Sequence, residues 1–412
     1  MNKRRHGFGS GEDGQILVLT ALLLTVLFFA VGIAFNLGTL FVARRSLQEA
    51  VDAAAFGGAV VLFNGGTNAA AQTAATTDLS LNGYSASNAT IVIQSPPASG
   101  PYNGNALYIL VTASQYVETP LLPQEGGTTK VAVSAVGGSV SKTSNFAVMA
   151  LSSSATNALA VNNIAEVDIT GGDVQVNSNA AVAATKSGSG QWVLSSSTAR
   201  AVGGTSGFPA SFLTGQASQP DPLSGFLRPA AGTLRSSSLL TVTTTTTLQP
   251  GLYQGGIAIN CSCTVTFAAG TFVLAGGGLS AINGSDLVGT GVMFFNTLSN
   301  YPTESGTCGP FSLANSSQMQ IDASSTGYYN GMLIWTDSTC TQPVTLTGSA
   351  QFETARGTIY APSSNINLAS SSQMQITGQL IGSSITIGNA AQLQLTYTAG
   401  GAAKPALPTL AQ

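Results

Sequence analysis

The pattern of apolar and polar positions gives the chain three textures. The first is an apolar run from Ile16 to Val42, 27 residues without a charged side chain. A bilayer core needs about 20 helical residues, and the apolar part of a signal peptide only about 7–15. The run therefore predicts a retained transmembrane helix. Ala53-Ala54-Ala55 would suit a signal peptidase, but it lies past Arg44 and Arg45, too far from the run for an ordinary cleavage region. Asn36, Gly38 and Thr39 place the bilayer exit within the last third of the run. The helix should continue through residues 44–53, which are rich in helix formers, with Leu40, Leu47 and Val51 near one face.

The second texture, residues 64–143, reads as a small pilin-like α+β region. Ala69 to Leu81 predicts a helix broken by Asn82-Gly83, and strand-like runs follow at Thr90–Gln94, Ala106–Ser114 and Lys130–Val136. From Asn145 helical periodicity fades, and short β-prone stretches alternate with Gly, Ser and Asn. An irregular excursion near 203–229 contains Asp221-Pro222-Leu223-Ser224-Gly225. The boundaries that follow are a cytoplasmic leader at 1–15, an anchor at 16–42, a stalk and α+β region at 43–143, a β domain at 144–400 and a tail at 401–412.

A repeated word specifies the β domain further. Ser316-Ser317-Gln318-Met319-Gln320-Ile321 recurs as Ser371-Ser372-Gln373-Met374-Gln375-Ile376, with degenerate copies at Ala350-Gln351-Phe352-Glu353 and Ala391-Gln392-Leu393-Gln394-Leu395. The spacings between the lead glutamines, 33, 22 and 19 residues, suit coils of a β-solenoid with an insertion in the first interval. Alternation turns Met319, Ile321, Met374, Ile376, Leu393 and Leu395 to one face and the glutamines to the other. The fold expected is mainly β, a right-handed parallel β-helix behind the helical anchor. An antiparallel β-sandwich that reuses the word is the alternative.

Composition narrows the chemistry. Only 7% of residues are charged, against about 25% in ordinary soluble domains. A formal net charge of −3 offers no field to attract nucleic acid. Cys261, Cys263, Cys308 and Cys340 have no histidine near them, since the single histidine is His6. Disulfides suit these cysteines better than zinc in an exported region. Cys308 with Cys340 is the preferred pair, and Cys261 and Cys263 stay ambiguous. Carboxylates Asp286, Glu304, Asp322, Asp337 and Glu353 are scattered. Glu166 and Asp168 form a close pair that alternation puts on a solvated strand face. Without a histidine, a serine-hydrolase arrangement has no base, and Gly276-Gly277-Gly278 lacks the lysine of a phosphate loop. No catalytic residue, metal site or cofactor is expected, with a polysaccharide lyase or hydrolase as the minor alternative. Tyr328, Tyr329 and Trp335 read either as core and turn residues or as a contact surface for a glycan or partner protein.

The opening of the chain resembles the TadE/TadG-like proteins of tight-adherence (Flp) pilus assembly. The resemblance rests on Gly14-Gln15-Ile16-Leu17-Val18-Leu19, the apolar helix, and the exit Ala43-Arg44-Arg45-Ser46-Leu47-Gln48-Glu49-Ala50-Val51-Asp52-Ala53-Ala54-Ala55. Gly14, Gln15, Arg44, Arg45, Leu47, Gln48 and Asp52 are the anchor-motif positions it marks. Leu248–Tyr253 and Gly270–Leu279 also resemble segments of such proteins and of other surface β-helices. The resemblance implies a single-pass bacterial membrane protein, its C-terminal domain extracytoplasmic or at the cell surface, structural or adhesive in a pilus apparatus. Its partners would be pilus-assembly proteins, with a surface glycan as a further ligand. Two departures qualify it. Leu19 stands where a processed prepilin carries Glu, so cleavage is not expected. Asp322-Ala323-Ser324-Ser325-Thr326 is a poor match to the metal motif that some members carry. The alternative function is a tethered glycan-binding or glycan-acting β-helix.

Overall fold

The computed structural model describes residues 13–63, 66–120, 127–141, 144–404 and 406–411. Lys3, Arg4, Arg5 and His6 lie outside them. The chain forms two compact units, one of residues 1–140 with 407–412 and the other of residues 141–406.

In the first unit, α1 (Asp13–Phe63) is one helix of 51 residues, about 77 Å long at 1.5 Å per residue. Its N-terminal half is apolar and bare: Leu17, Phe28 and Phe41 are each about 70% exposed. From Leu47 onward the same helix buries one stripe. Leu47, Val51, Ala54 and Ala55 pack with Ala71, Ala75 and Leu79 of α2 (Asn68–Leu81). Thr67 caps α2 by accepting a hydrogen bond from the Ala70 N–H at 3.2 Å. The other wall is antiparallel: β1 (Thr90–Gln94) pairs with β2 (Tyr108–Glu118), and β2 with β3 (Thr128–Ser141). Gly137 on β3 lets the helix approach, since a Cβ there would stand 2.0 Å from the Ala55 carbonyl oxygen. Residues 406–410, read as tail from sequence, form a strand beside β3, and the Ala411 N–H donates to the Val136 carbonyl at 2.7 Å. The β domain is thus inserted between two neighbouring strands of this sheet.

The second unit is a parallel β-helix. Its strands form one 25-stranded sheet, and every pairing described in it is parallel, which rules out the antiparallel sandwich. Each coil contributes a strand to each of three faces. Face one stacks Leu234–Ser236, Gly251–Gln254, Gly270–Ala275, Val292–Thr297, Met332–Thr336, 358–361, 379–382, Phe146–Ala150, Asp173–Val176 and Ala199–Ala201. Face two begins with Leu240–Val242 and ends with Thr205–Ser206. Face three carries the repeated words and ends with Glu166–Thr170 and Gln191–Ser195.

Stacking order departs from chain order. The chain enters at Phe146 in mid-stack and winds to one end at Ala199–Ala201. It then crosses to the opposite end and winds back, so that its last coil, with strand Gln392–Thr396, lands on Glu166–Thr170 of its first. The interior holds the inward residues of all faces, including Phe267, Phe272, Phe294 and Phe311 in successive ring contacts of 5.0–5.7 Å. Between faces two and three, Asn163, Asn283, Asn315 and Asn389 turn the chain with positive φ, a conformation asparagine tolerates better than most residues. Their amides also join coils, Asn163 to Asn389 at 2.9 Å and Asn283 to Asn260 at 2.6 Å. Gly276-Gly277-Gly278 makes the corner between faces one and two. There Gly278 takes φ +68°, and a Cβ would stand 2.0 Å from the Pro310 carbonyl oxygen.

Candidate interaction surfaces

Two outer faces of the β-helix, and the helix of the first unit, present residues singled out from sequence. On the central strands of face one the outward side chains are as apolar as the inward ones. Phe272-Val273-Leu274-Ala275, Val292-Met293-Phe294-Phe295 and Met332-Leu333-Ile334-Trp335 are buried throughout. Continuous apolar strands of this kind need cover on both sides. The excursion supplies it as a strap.

The strap starts where Leu213 bonds Ala199 and Ala201 (2.9 and 2.8 Å). It passes Asn177, which bonds the Gln219 backbone in both directions (2.7 and 3.0 Å). Asp221 then accepts from the Tyr360 hydroxyl at 2.6 Å and from the Leu223 N–H at 2.9 Å. Leu223 and Phe226 sink among Phe295, Met332 and Trp335. Arg228 forms ion pairs with Asp337 at 3.0 Å and with Glu304, and the Tyr301 hydroxyl donates to the Pro229 carbonyl. The strap ends where the Leu252 N–H donates to Thr233 at 2.8 Å. Nine coil steps span about 43 Å at roughly 4.8 Å each, and twenty extended residues reach about 66 Å. The connection is long enough to cross the stack with slack for its turns.

The aromatic trio lies beneath this strap. Trp335 is buried, and Tyr328 and Tyr329 are half-buried. Phe226 stacks on Tyr329 and meets Tyr328 edge-on. The Tyr328 hydroxyl accepts from the Leu227 N–H at 3.0 Å, and that of Tyr329 donates to the Leu227 carbonyl at 2.8 Å. Burial raises the Tyr329 and Tyr360 hydroxyls well above the ordinary range for tyrosine, and the Asp221 carboxylate raises Tyr360 further. Burial also raises Asp221 itself, against the lowering effect of its two hydrogen bonds. Beside the strap, Cys308 and Cys340 are disulfide-bonded across 32 residues and tie the loops of two adjacent coils. Cys261 and Cys263 are bonded to each other.

Face three is different in kind. Its words stack in register: Asp286, Gln318, Gln351, Gln373, Gln392, Glu166 and Gln191 form one outward column. Gln320, Glu353, Gln375, Gln394 and Asp168 form a second. The six apolar residues assigned inward, Met319, Ile321, Met374, Ile376, Leu393 and Leu395, are each 1% exposed. Among the described residues of the β domain no strap crosses the amides. Gln392 donates to Glu166 at 3.3 Å. The side-chain amides of Gln318, Gln320, Gln351, Gln373, Gln375 and Gln394 have no hydrogen-bond partner among the described residues. A shallow groove of about 90 Å³ runs between Gln351, Glu353, Gln373, Gln375, Gln392 and Gln394. Sequence reading kept Glu166 and Asp168 apart from the repeat. Their alternation, Glu166-Val167-Asp168-Ile169, was the available signal that they are another copy of the word.

On α1, Gly14 and Gln15 fall in the first turn and Arg44 is exposed. Arg45 pairs with Glu49 at 2.9 Å, a solvent-exposed i,i+4 contact. Leu47 is fully buried. Gln48 donates to Asp52 at 2.7 Å and to the Ser134 carbonyl at 3.3 Å, which ties the helix to β3. Within residues 16–63 the helix holds a stretch apolar and long enough to cross a membrane.

Residues 14–75 match the family model described as putative Flp pilus-assembly TadE/G-like. The match spans α1 and the first half of α2, and the β-helix lies outside it. No curated protein and no solved structure matches the chain at a significant level.

Proposed function

We propose that the chain is a membrane-anchored, exported structural or adhesive component of a tight-adherence pilus apparatus. The TadE/G-like match over residues 14–75 carries this reading. It coincides with a helix whose first half is apolar and uncovered and whose second half is packed. In this reading α1 is a single span with a cytoplasmic N-terminus. Gly14 and Gln15 mark its entry, Arg44 and Arg45 stand at its outer boundary, and Leu47, Gln48 and Asp52 dock it onto its own sheet. The β-helix then faces the outside, where the two disulfides are chemically stable. The family match favours a structural role over a catalytic one.

Deletion of the gene from its host tests the role. The expected result is loss or shortening of pili and reduced surface attachment, restored by the wild-type gene and not by one lacking residues 16–42. Normal piliation and attachment in the deletion strain would overturn it. Protease accessibility of residues 144–400 in spheroplasts tests the orientation, and protection of that region would reverse the topology.

A further inference from the structure

We propose that face three binds a linear polysaccharide bearing free amino groups, laid along the stack axis. This rests on the exported-adhesive reading and names the ligand chemistry of that role.

Four observations converge. The first is spacing: the outward columns repeat once per coil, the first across seven coils from Asp286 to Gln191, about 29 Å, and the second across five, from Gln320 to Asp168. An extended hexose chain advances by a similar distance per ring, so successive sugars meet equivalent side chains. The second is availability. The six partner-free glutamine amides each offer two donors and an acceptor, which suits hydroxyl and acetamido groups. The third is charge: Asp286, Glu353, Glu166 and Asp168 stand in the columns, which contain no Lys or Arg. An anionic polymer is repelled and an ammonium group is attracted. The fourth is shape, since a groove lies between the columns over the three successive coils of Gln351, Gln373 and Gln392. Each contact is weak, and affinity accumulates over repeated contacts on one ligand. With no exposed aromatic in the columns, recognition is by hydrogen bonding and charge, not by ring stacking.

The test uses the full-length chain in detergent micelles and three probes: glucosamine hexamer, N-acetylglucosamine hexamer and a galacturonate oligomer. Calorimetry should show binding strongest for the glucosamine hexamer, weaker for its acetylated form and absent for galacturonate. Glu353→Gln with Asp168→Asn should weaken glucosamine binding about tenfold and flatten its salt dependence. Gln375→Ala with Gln394→Ala should weaken both hexosamine probes, and Tyr329→Phe, under the strap, should weaken neither. Absence of hexosamine binding, equal binding of galacturonate, or insensitivity to both double variants would overturn the proposal. So would a change in sedimentation of the double variants, which would mark the face as a contact between copies. Cells carrying Gln375→Ala/Gln394→Ala separate the two readings. Normal pili with lost glycan attachment supports both, whereas lost pili in the gene deletion with no hexosamine binding leaves the pilus role and removes the ligand.

Discussion

The strap face and the amide face are built on the same coils, yet they solve opposite problems. On the strap face both sides of the central strands are apolar, so their outer side needs a cover, and one crossing segment supplies it. On the amide face the repeated words alternate, their outer side is polar, and no described segment of the β domain crosses it. A parallel β-helix can therefore finish each face independently, because every strand meets only its neighbours above and below. The face made dry by the strap serves stability; the face left wet is free to meet something else.

Single substitutions should separate the two. Phe295→Asp, outward on the strap face between Tyr301 and Trp335, places a charge in a dry layer. It should cost about 4 kcal/mol or more, enough to prevent folding. Gel filtration and circular dichroism of the purified variant check this. Next in size, Cys308→Ser with Cys340→Ser removes a 32-residue closure and should cost about 3–4 kcal/mol, read by urea denaturation with and without reductant. Arg228→Ala leaves Asp337, 1% exposed, without its cation, with Thr297 still donating at 2.9 Å. About 3 kcal/mol is expected, with faster proteolysis of the strap near Ser224 as the specific readout.

A pH dependence follows from Asp221. Its carboxyl titrates above the ordinary value of 3.8 when folded, so the folded state holds the proton where the unfolded state has lost it. Stability from this group is fully present at the acid end and declines as pH rises through the folded value. Asp221→Asn can still accept from the Leu223 N–H, and its amide can donate to Tyr360. Unfolding free energies measured from pH 4 to 8 should lose this downward slope in the variant, and an unchanged slope would assign it elsewhere. The smallest effect belongs to the amide face. Gln375→Ser should change stability by less than about 0.5 kcal/mol. A loss comparable to that of Phe295→Asp would show that this face is covered as well.

The two faces also differed in how far they could be read beforehand. Gln-Met-Gln-Ile has period two and recurs, so its inward and outward residues, and the register of four coils, were legible. Phe272–Ala275 and Val292–Phe295 carry no period, and a short apolar run does not say what lies on either side of it. The strap has neither repeat nor alternation, and its partners, Tyr360 and Asp337, lie more than a hundred residues away. The aromatic trio was therefore noticed as a cluster but could not be assigned to a layer. Stacking order was hidden for the same reason: nothing local in Val148 or Leu380 announces that they pair. On α1, Leu47 and Val51 were legible because a helical stripe is local.

The mid-stack entry of the chain sets an order of events during synthesis. Coils 146–206 emerge first, with one edge unpaired toward the place where residues 373–396 will later lie. More than 160 residues must follow before that edge is filled. The seam between Gln392–Thr396 and Glu166–Thr170 is consequently the last to zip as the polypeptide is made, and pairing so distant in sequence is slow. Until then the early coils present an open template to any neighbouring strand. Their exposed carboxylates, Glu166 and Asp168, are the charges that stand guard over that unfinished seam.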